Sequence, residues 1–339
     1  MDLEEIDQGV FEIWKTVQKL EYVNPINQQE EKEKFMKSSY YNPKFNFIPL
    51  DFNPDKFIKQ LQSYKKELDS SIIAGLISKK IDKQIIWINL LKSRGTEKFT
   101  EYSVEYYGRP DLNLISNALR ILKKNSKREE EPPTITAEEM AEHLNNEVNR
   151  MKLDWSVKVK ENLGAKADDV AAEETLYIKK GEMFTKKDLK RLTVHELGVH
   201  STRAFNAKKL KYKIFFIGTA EYEVTEEGLA AVMEEKEGIL EESILRSYAG
   251  RVLAVNMTLQ KSFRGVYIFL CRYFPKDEAY QLTMRAKRGI TDTSKPGSFT
   301  KDHIYLKGME LVRQIPDLRP LFKGRVGVED LFNLRELRI

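Results

Sequence analysis

Apolar residues recur at helical spacing through most of this chain and alternate at strand spacing in two places. Ile6, Val10, Ile13, Trp14 and Val17 mark one helical face, so residues 1–37 read as one or two helices. Residues 42–54 are extended and punctuated by proline. Helix returns over 55–93, where Phe57, Leu61, Tyr64 and Leu68 share a face. Ile85, Ile86, Ile88, Leu90 and Leu91 then form a nearly continuous apolar run, which Arg94-Gly95-Thr96 ends. Asp111–Lys124 predicts a further helix. Thr136 with Glu139, and Thr185 with Asp188, have capping-box spacing and open two more. Trp155–Val159 and Thr175–Lys179 alternate as strands do. Residues 239–273 predict one or two long helices with Ile244, Leu245, Val252, Leu253, Val255 and Met257 in the core. Asp277–Lys287 is another helix. A loop at Ile290–Lys301, rich in Gly, Pro, Ser and Thr, precedes the last one; loops of that length in a compact domain are often functional.

Residues 123–136 (KKNSKREEEPPTIT) are charged, lack an apolar period and end in a proline pair, which makes them the linker candidate. The pattern predicts a mainly helical α+β protein with a small mixed or antiparallel sheet. Its parts are an N-terminal helical region, 1–130, and a second region, 131–339, that carries the strands and the chemistry.

Composition changes this picture little. Hydrophobic residues are 41% of the chain, as in an ordinary folded protein. The net charge of +5 is divided among 57 basic and 52 acidic residues, too mild a balance to predict a nucleic-acid partner. Cys271 is the single cysteine, so neither an internal disulfide nor a cysteine-rich metal site can form. The chain opens Met1-Asp2-Leu3-Glu4-Glu5, acidic where a secretory signal is basic, and its longest apolar runs are too short to span a bilayer. The expectation is a cytoplasmic protein with no membrane partner.

The chemistry concentrates at His195-Glu196-Leu197-Gly198-Val199-His200, which holds two of the four histidines. Neutral imidazole is a preferred zinc ligand, and a carboxylate beside a zinc-bound water is a general base. The usual spacing is H-E-x-x-H; here there is one residue more. An α-helix turns about 100° per residue, so positions i and i+4 are offset by roughly 40° but i and i+5 by roughly 140°. A regular helix would point the two rings apart. Either a π-bulge or a loosened turn at Gly198 must restore a common face. Downstream, Thr225-Glu226-Glu227-Gly228-Leu229-Ala230 reads as the start of a helix with Thr225 as N-cap. A catalytic zinc wants three protein ligands, and on chemistry alone either glutamate completes the set.

These segments resemble the microtubule-associated tyrosine carboxypeptidase family, whose prokaryotic members are named for a Q-E-G-L-A motif and described as modulating flavohaemoglobin expression. The likeness extends to Arg203 and Asn206, placed as in H-x-x-R-x-x-N. It includes Gly297–Leu306, similar to G-x-F-T-K-D-x-x-Y-L, and Tyr107–Asp111, similar to Y-G-x-P-D; Asn42–Phe45 fits more loosely. It runs from about residue 40 to 315. Ala207-Lys208-Lys209-Leu210 departs from it, as does the short interval between His200 and Glu227. The resemblance implies one Zn2+ held by His195, His200 and Glu227, with Glu196 as catalytic base, in a gluzincin-like metallopeptidase core. It also implies removal of a C-terminal residue, tyrosine by the family's name, from a peptide or protein.

Such a reaction needs a donor for the anionic tetrahedral intermediate and a cation for the substrate's terminal carboxylate. Tyr305 is the first candidate for the donor, and Lys301 or Arg203 the second. Arg203, Arg285, Arg288 and Lys301 are the candidates for carboxylate binding. Thr175–Lys179, just before the metal motif, stands where thermolysin-type peptidases carry an edge strand that pairs with extended substrate; an ordinary hairpin is the alternative. The rival functional reading is a regulatory protein that binds zinc without turnover, with His303 as a possible fourth ligand closing the site.

Overall fold

The structure, a computed structural model, describes residues 1–124, 131–161, 163 and 165–337. The N-terminal region is helical as the pattern predicts. Helix α1 (Leu3–Val17) starts at a reciprocal Asp2–Glu5 capping box and buries the expected face, Ile6, Val10, Ile13, Trp14 and Val17. Then come α2 (Gln28–Lys37), α3 (Pro54–Lys66) and α4 (Ile72–Lys92). The apolar run of 55–93 is thus two helices. Between them Asp69 accepts from the Ser71 backbone, and Ser71 in turn accepts from the Ala74 backbone as N-cap of α4. Short polar side chains offer the backbone a turn in place of helix. Helices α5 (Lys98–Tyr107) and α6 (Leu112–Lys123) follow, joined by the Y-G-x-P-D-like turn, in which Asp111 caps α6.

The centre of the expected linker, 125–130, lies outside the described residues. Beyond it, β1 (Ile135–Thr136) leads into α7 (Ala137–Met151), opened by the predicted Thr136–Glu139 capping box. Strands β2 (Ser156–Lys160), β3 (Ala167–Val170) and β4 (Thr175–Lys179) form a mixed sheet of order β2-β4-β3, with β4 parallel to β2 and antiparallel to β3. β5 (Met183–Phe184) pairs with β1. Thr175–Lys179 is therefore the central strand and not an exposed edge: it closes an antiparallel hairpin with β3 across Ala171–Glu174, and its other edge is hydrogen-bonded to β2. The outer strand beside the metal motif is β3, whose sequence Ala-Asp-Asp-Val carries no apolar alternation and so gave no strand signal.

After β5 come α8 (Lys186–Leu192), the motif segment, α9 (Thr202–Ala207), α10 (Ile214–Ile217) and α11 (Tyr222–Lys236). The apolar stretch 239–273 divides into α12 (Glu242–Thr258) and α13 (Phe263–Leu270). α14 (Lys276–Ala286), α15 (Ile304–Val312) and α16 (Leu331–Glu336) complete the chain. One buried apolar cluster runs from Ile6 to Leu334, so the helices on either side of 124–136 share a core. Polar ties cross the same boundary: Asp7 accepts from the backbone of Lys213 and Ile214, and Arg246 donates to the carbonyls of Leu122 and Lys124. The Gly/Ser/Thr-rich loop is pinned as well. Phe45 donates to Thr291, Thr293 to Pro43, and Ser103 meets Thr300. No described helix is long and apolar enough to cross a membrane.

Helices α11 and α15 cross in backbone contact. A Cβ added at Gly228 would lie 2.1 Å from the Gly308 carbonyl carbon, and one at Gly308 would lie 2.0 Å from the Val224 oxygen. No side chain could yield there, because the obstacle is backbone. Gly228→Ala or Gly308→Ala should therefore cost about 3 kcal/mol or more, at or beyond the upper end of ordinary overpacking. Gly75→Ala, at an exposed helical position with open space around it, should be neutral or stabilising by about 0.5–1 kcal/mol. Urea unfolding followed by circular dichroism measures all three.

Candidate metal centre

The extra residue between the histidines is absorbed by π-helix. Thr193–Ser201 is π-helical over nine residues, between α8 and α9. At its end the Thr202 backbone N–H and hydroxyl both donate to the Leu197 carbonyl, five residues back, the hydroxyl at 2.7 Å. The wider turn brings His195 and His200 to one side, with ring centroids 4.8 Å apart and planes at 83°. A Cβ at Gly198 would come within 3.3 Å of the Thr193 carbonyl oxygen, a tight approach to backbone that glycine avoids.

Helix α11 faces this segment and supplies carboxylates from successive turns. It begins at Tyr222, a turn earlier than the sequence suggests. Thr225 is not its cap; it is buried, and its hydroxyl accepts from the Val328 backbone at 2.9 Å. That start places Glu226 and Glu227 in the second turn, opposite the imidazoles. Glu227 Oε2 lies 3.9 Å from His195 Nε2 and 4.0 Å from His200 Nε2, and the candidate donor atoms of the three residues lie within 4.8 Å of one another. Ligands about 2 Å from a tetrahedral ion are roughly 3.4 Å apart, so small side-chain adjustments would close the group on zinc.

The other ring nitrogens also meet carboxylates. His195 Nδ1 is 2.6 Å from Glu234 Oε1, and His200 Nδ1 is 3.1 Å from Glu226 Oε1. A carboxylate at Nδ1 draws the hydrogen to that side and leaves the Nε2 lone pair for a metal. Burial opposes charge on His200, but Glu226, Glu196 and Glu227 outweigh it and lift its pKa to about 9. A cation bound at Nε2 would displace that proton. Glu196 projects from the π turn, half-buried, with no hydrogen bond to a described residue. Its charge reaches Asp169 of β3, which burial pushes up to about 7 and which accepts from Trp155 Nε1 and Ser201 Oγ at 2.9 and 3.0 Å.

The two glutamates thus take different places. Glu226 does not face the Nε2 atoms. Burial would raise its pKa, yet Arg203, Arg325 and His200 hold it down to about 2. Arg203, 0% exposed, donates to Glu226 and to the carbonyls of Leu321, Gly324 and Val326, which engages every guanidinium nitrogen. Asn206 Nδ2 donates to Phe322 O at 2.9 Å. The R-x-x-N pair therefore fastens the 321–326 segment under the site, and Arg203 presents no donor to the open side.

Arg285 and Arg288 converge on buried Asp302 instead. Arg285 binds it through two nitrogens at 2.5 and 3.0 Å, and Arg288 at 3.1 Å. Lys301 does approach the cluster, with Nζ 3.8 Å from Glu227 Oε1 and 3.7 Å from Glu223 Oε1. Tyr305, in the first turn of α15, stacks on Tyr248 at 5.3 Å. Burial and the Glu227 charge push its hydroxyl up to about 12. His303 is apart from the group: its Nδ1 meets Thr300 O at 2.6 Å, its Nε2 is buried without a partner, and burial pushes its pKa down to about 4. Among the residues the sequence reading did not single out, Glu234 had a signal, standing seven positions after Glu227 on the same helical face. Asp302 lay in a noted segment without a role, and Asp169 offered no periodic signal.

Two imidazoles and a carboxylate, each imidazole backed by a second carboxylate, form a donor set of the kind found in metallohydrolases. The sequence pattern of the microtubule-associated tyrosine carboxypeptidase family matches residues 33–339, and the chain belongs to this family. It is 34% identical over 158 residues to human microtubule-associated tyrosine carboxypeptidase 1, covering 42% of this chain and 31% of that protein. It is 33% identical over 159 residues to the mouse putative tyrosine carboxypeptidase MATCAP2, covering 43% and 29%. The chain thus spans about a third of the length of the curated relatives it matches.

Replacing Glu226 should damage the fold as well as the site. In Glu226→Ala the Arg203 guanidinium stays buried without its carboxylate, a loss of about 3–5 kcal/mol. In the unmodified protein the depressed Glu226 pKa contributes stability above the usual carboxylate range near 4.5, and this is lost as pH falls towards about 2. Acid titration of urea midpoints should show that part of the acid limb flattened in Glu226→Gln.

Proposed function

We propose that this protein is a zinc-dependent metallopeptidase with a gluzincin-like core, acting as a carboxypeptidase on peptide or protein C-termini. The observation that carries the reading is the convergence of His195 Nε2, His200 Nε2 and Glu227 Oε2 beside a carboxylate, Glu196, that has no hydrogen bond to a described residue. A zinc ion held by these three residues would supply a water of near-neutral pKa and a charge beside the scissile carbonyl.

Glu196 takes the proton of the attacking water and returns it to the leaving amine. Because its pKa is high, Tyr305 keeps its proton and can donate to the oxyanion, and Lys301 adds a positive charge nearby. Glu234 and Glu226 hold the two imidazoles in orientation. The names of the relatives point to a C-terminal tyrosine as the residue released.

Elemental analysis of the purified protein should find close to one zinc per chain, lost in His195→Ala and Glu227→Ala and retained in Glu196→Gln. Mass spectrometry of a digested peptide library should show single C-terminal residues released by the unmodified protein. Glu196→Gln should lower that rate by a hundredfold or more, on the order of what a general base contributes. Release of internal fragments would indicate an endopeptidase. Turnover of no peptide by the zinc-loaded protein would favour a zinc-binding regulator.

A further inference from the structure

Among the described residues, the basic side chains already placed around the metal centre each have an acidic partner within 4 Å; Arg251 is different. Arg203 and Arg325 serve Glu226, Arg191 lies 3.5 Å from Glu234, and Arg285 and Arg288 bind Asp302, while Lys301 faces Glu223 and Glu227. Arg251 has no such acceptor. This half-buried residue of α12 makes no hydrogen bond or ion pair to a described residue, and its Nε is buried without a partner. Its guanidinium lies instead over two stacked rings, 4.3 Å from the Tyr305 centroid and 5.2 Å from that of Tyr248.

An arginine held against aromatic faces is stabilised without using up its N–H donors. The location is specific. Tyr305 stands four residues after Lys301, whose Nζ is 3.8 Å from Glu227, so the stack adjoins the proposed metal ligands. The Glu227 charge is felt by the Tyr305 hydroxyl, and the Glu234 charge by that of Tyr248. Arg251 feels the charge of buried Asp302, but that carboxylate is already hydrogen-bonded by Arg285 and Arg288, so the Arg251 fork is left without an acceptor of its own.

We propose that Arg251 binds the free C-terminal carboxylate of the peptide substrate. This rests on the carboxypeptidase reading above and identifies how that site would distinguish a chain end from an internal bond. The planar fork matches a carboxylate bidentately. Arg203, Arg285 and Arg288 are not available for the task without breaking a buried ion pair.

The test separates this inference from the catalytic reading by measuring binding without turnover. N-acetylated tetrapeptides ending in tyrosine, as free acids and as C-terminal amides, are titrated by calorimetry into the zinc-loaded Glu196→Gln protein. They are then titrated into the same protein carrying Arg251→Gln or Arg251→Lys. Gln keeps a planar polar head over Tyr305 and removes the charge. The free acid should bind about ten- to hundredfold more tightly than the amide, as expected for a charge-assisted pair. Arg251→Gln should abolish that preference while leaving amide affinity and zinc content unchanged, and Arg251→Lys should restore part of it. A preference that survives in Arg251→Gln, or is absent from the protein with Arg251 intact, overturns the proposal. The same peptides given to the protein with Glu196 intact report separately on turnover, so a binding preference without cleavage would sink the catalytic reading and leave Arg251 as a carboxylate-binding residue.

Discussion

A single extra residue between two histidines sets the geometry of the site. Five positions of α-helix would separate the rings by more than a third of a turn. The chain therefore widens into π-helix over Thr193–Ser201, a conformation that is rare at this length. The Thr202 hydroxyl reinforces the i to i+5 pattern at the Leu197 carbonyl. A helix must then pass close enough for Glu227 to reach both Nε2 atoms. Helix α11 does so while an adjoining face, about 100° round the helix, meets α15, backbone against backbone, at Gly228 and Gly308. The glycine directly after Glu227 thus fixes where that carboxylate can stand. The motif E-E-G joins a donor to the packing contact that locates it.

Charge follows from this arrangement. Helix α11 directs Glu226, Glu227 and Glu234 towards two imidazoles in a largely buried setting, and Glu196 and Asp169 lie nearby. Buried carboxylates persist only with counter-charges and hydrogen bonds. The counter-charges come from separate parts of the chain: Arg191 before the π segment, Arg203 after it, Lys301 from the loop and Arg325 from near the C-terminus. Each pair fastens a distant element to α11. This explains why a site assembled from three short segments involves a chain of this length.

Much of this was legible in the sequence for a physical reason. Helical periodicity and capping boxes are local signals, and they located both ends of α6 and α14, and the starts of α7 and α8, to within a residue. The i to i+5 spacing also demanded a departure from α-helix, and π-helix is present. The failures were tertiary. β3 is a strand because its backbone pairs with β4, not because Ala167–Val170 alternates. Thr225 looks like a cap by type, but α11 had already begun at Tyr222, where a reading based on side-chain oxygen finds nothing. Whether Thr175–Lys179 lies at an edge or in the centre depends on a neighbour that the sequence did not reveal.

The basic residues extend that lesson to function. Arg203, Arg285 and Arg288 attract notice because they sit in or beside recognisable segments, and arginine suits carboxylates. The carboxylates they hold belong to the protein itself. R-x-x-N fastens the 321–326 segment, while the aspartate of F-T-K-D gathers two arginines beneath the loop. A cation that orients other residues is occupied by them, since a second anion would have to displace an ion pair already desolvated. A substrate carboxylate needs the opposite property, an oriented donor fork without an acceptor. Arg251 has it because its guanidinium rests against two aromatic rings and makes no hydrogen bond or ion pair to a described carboxylate. Stacking of this kind depends on two helices meeting side by side, which no spacing along one segment can reveal.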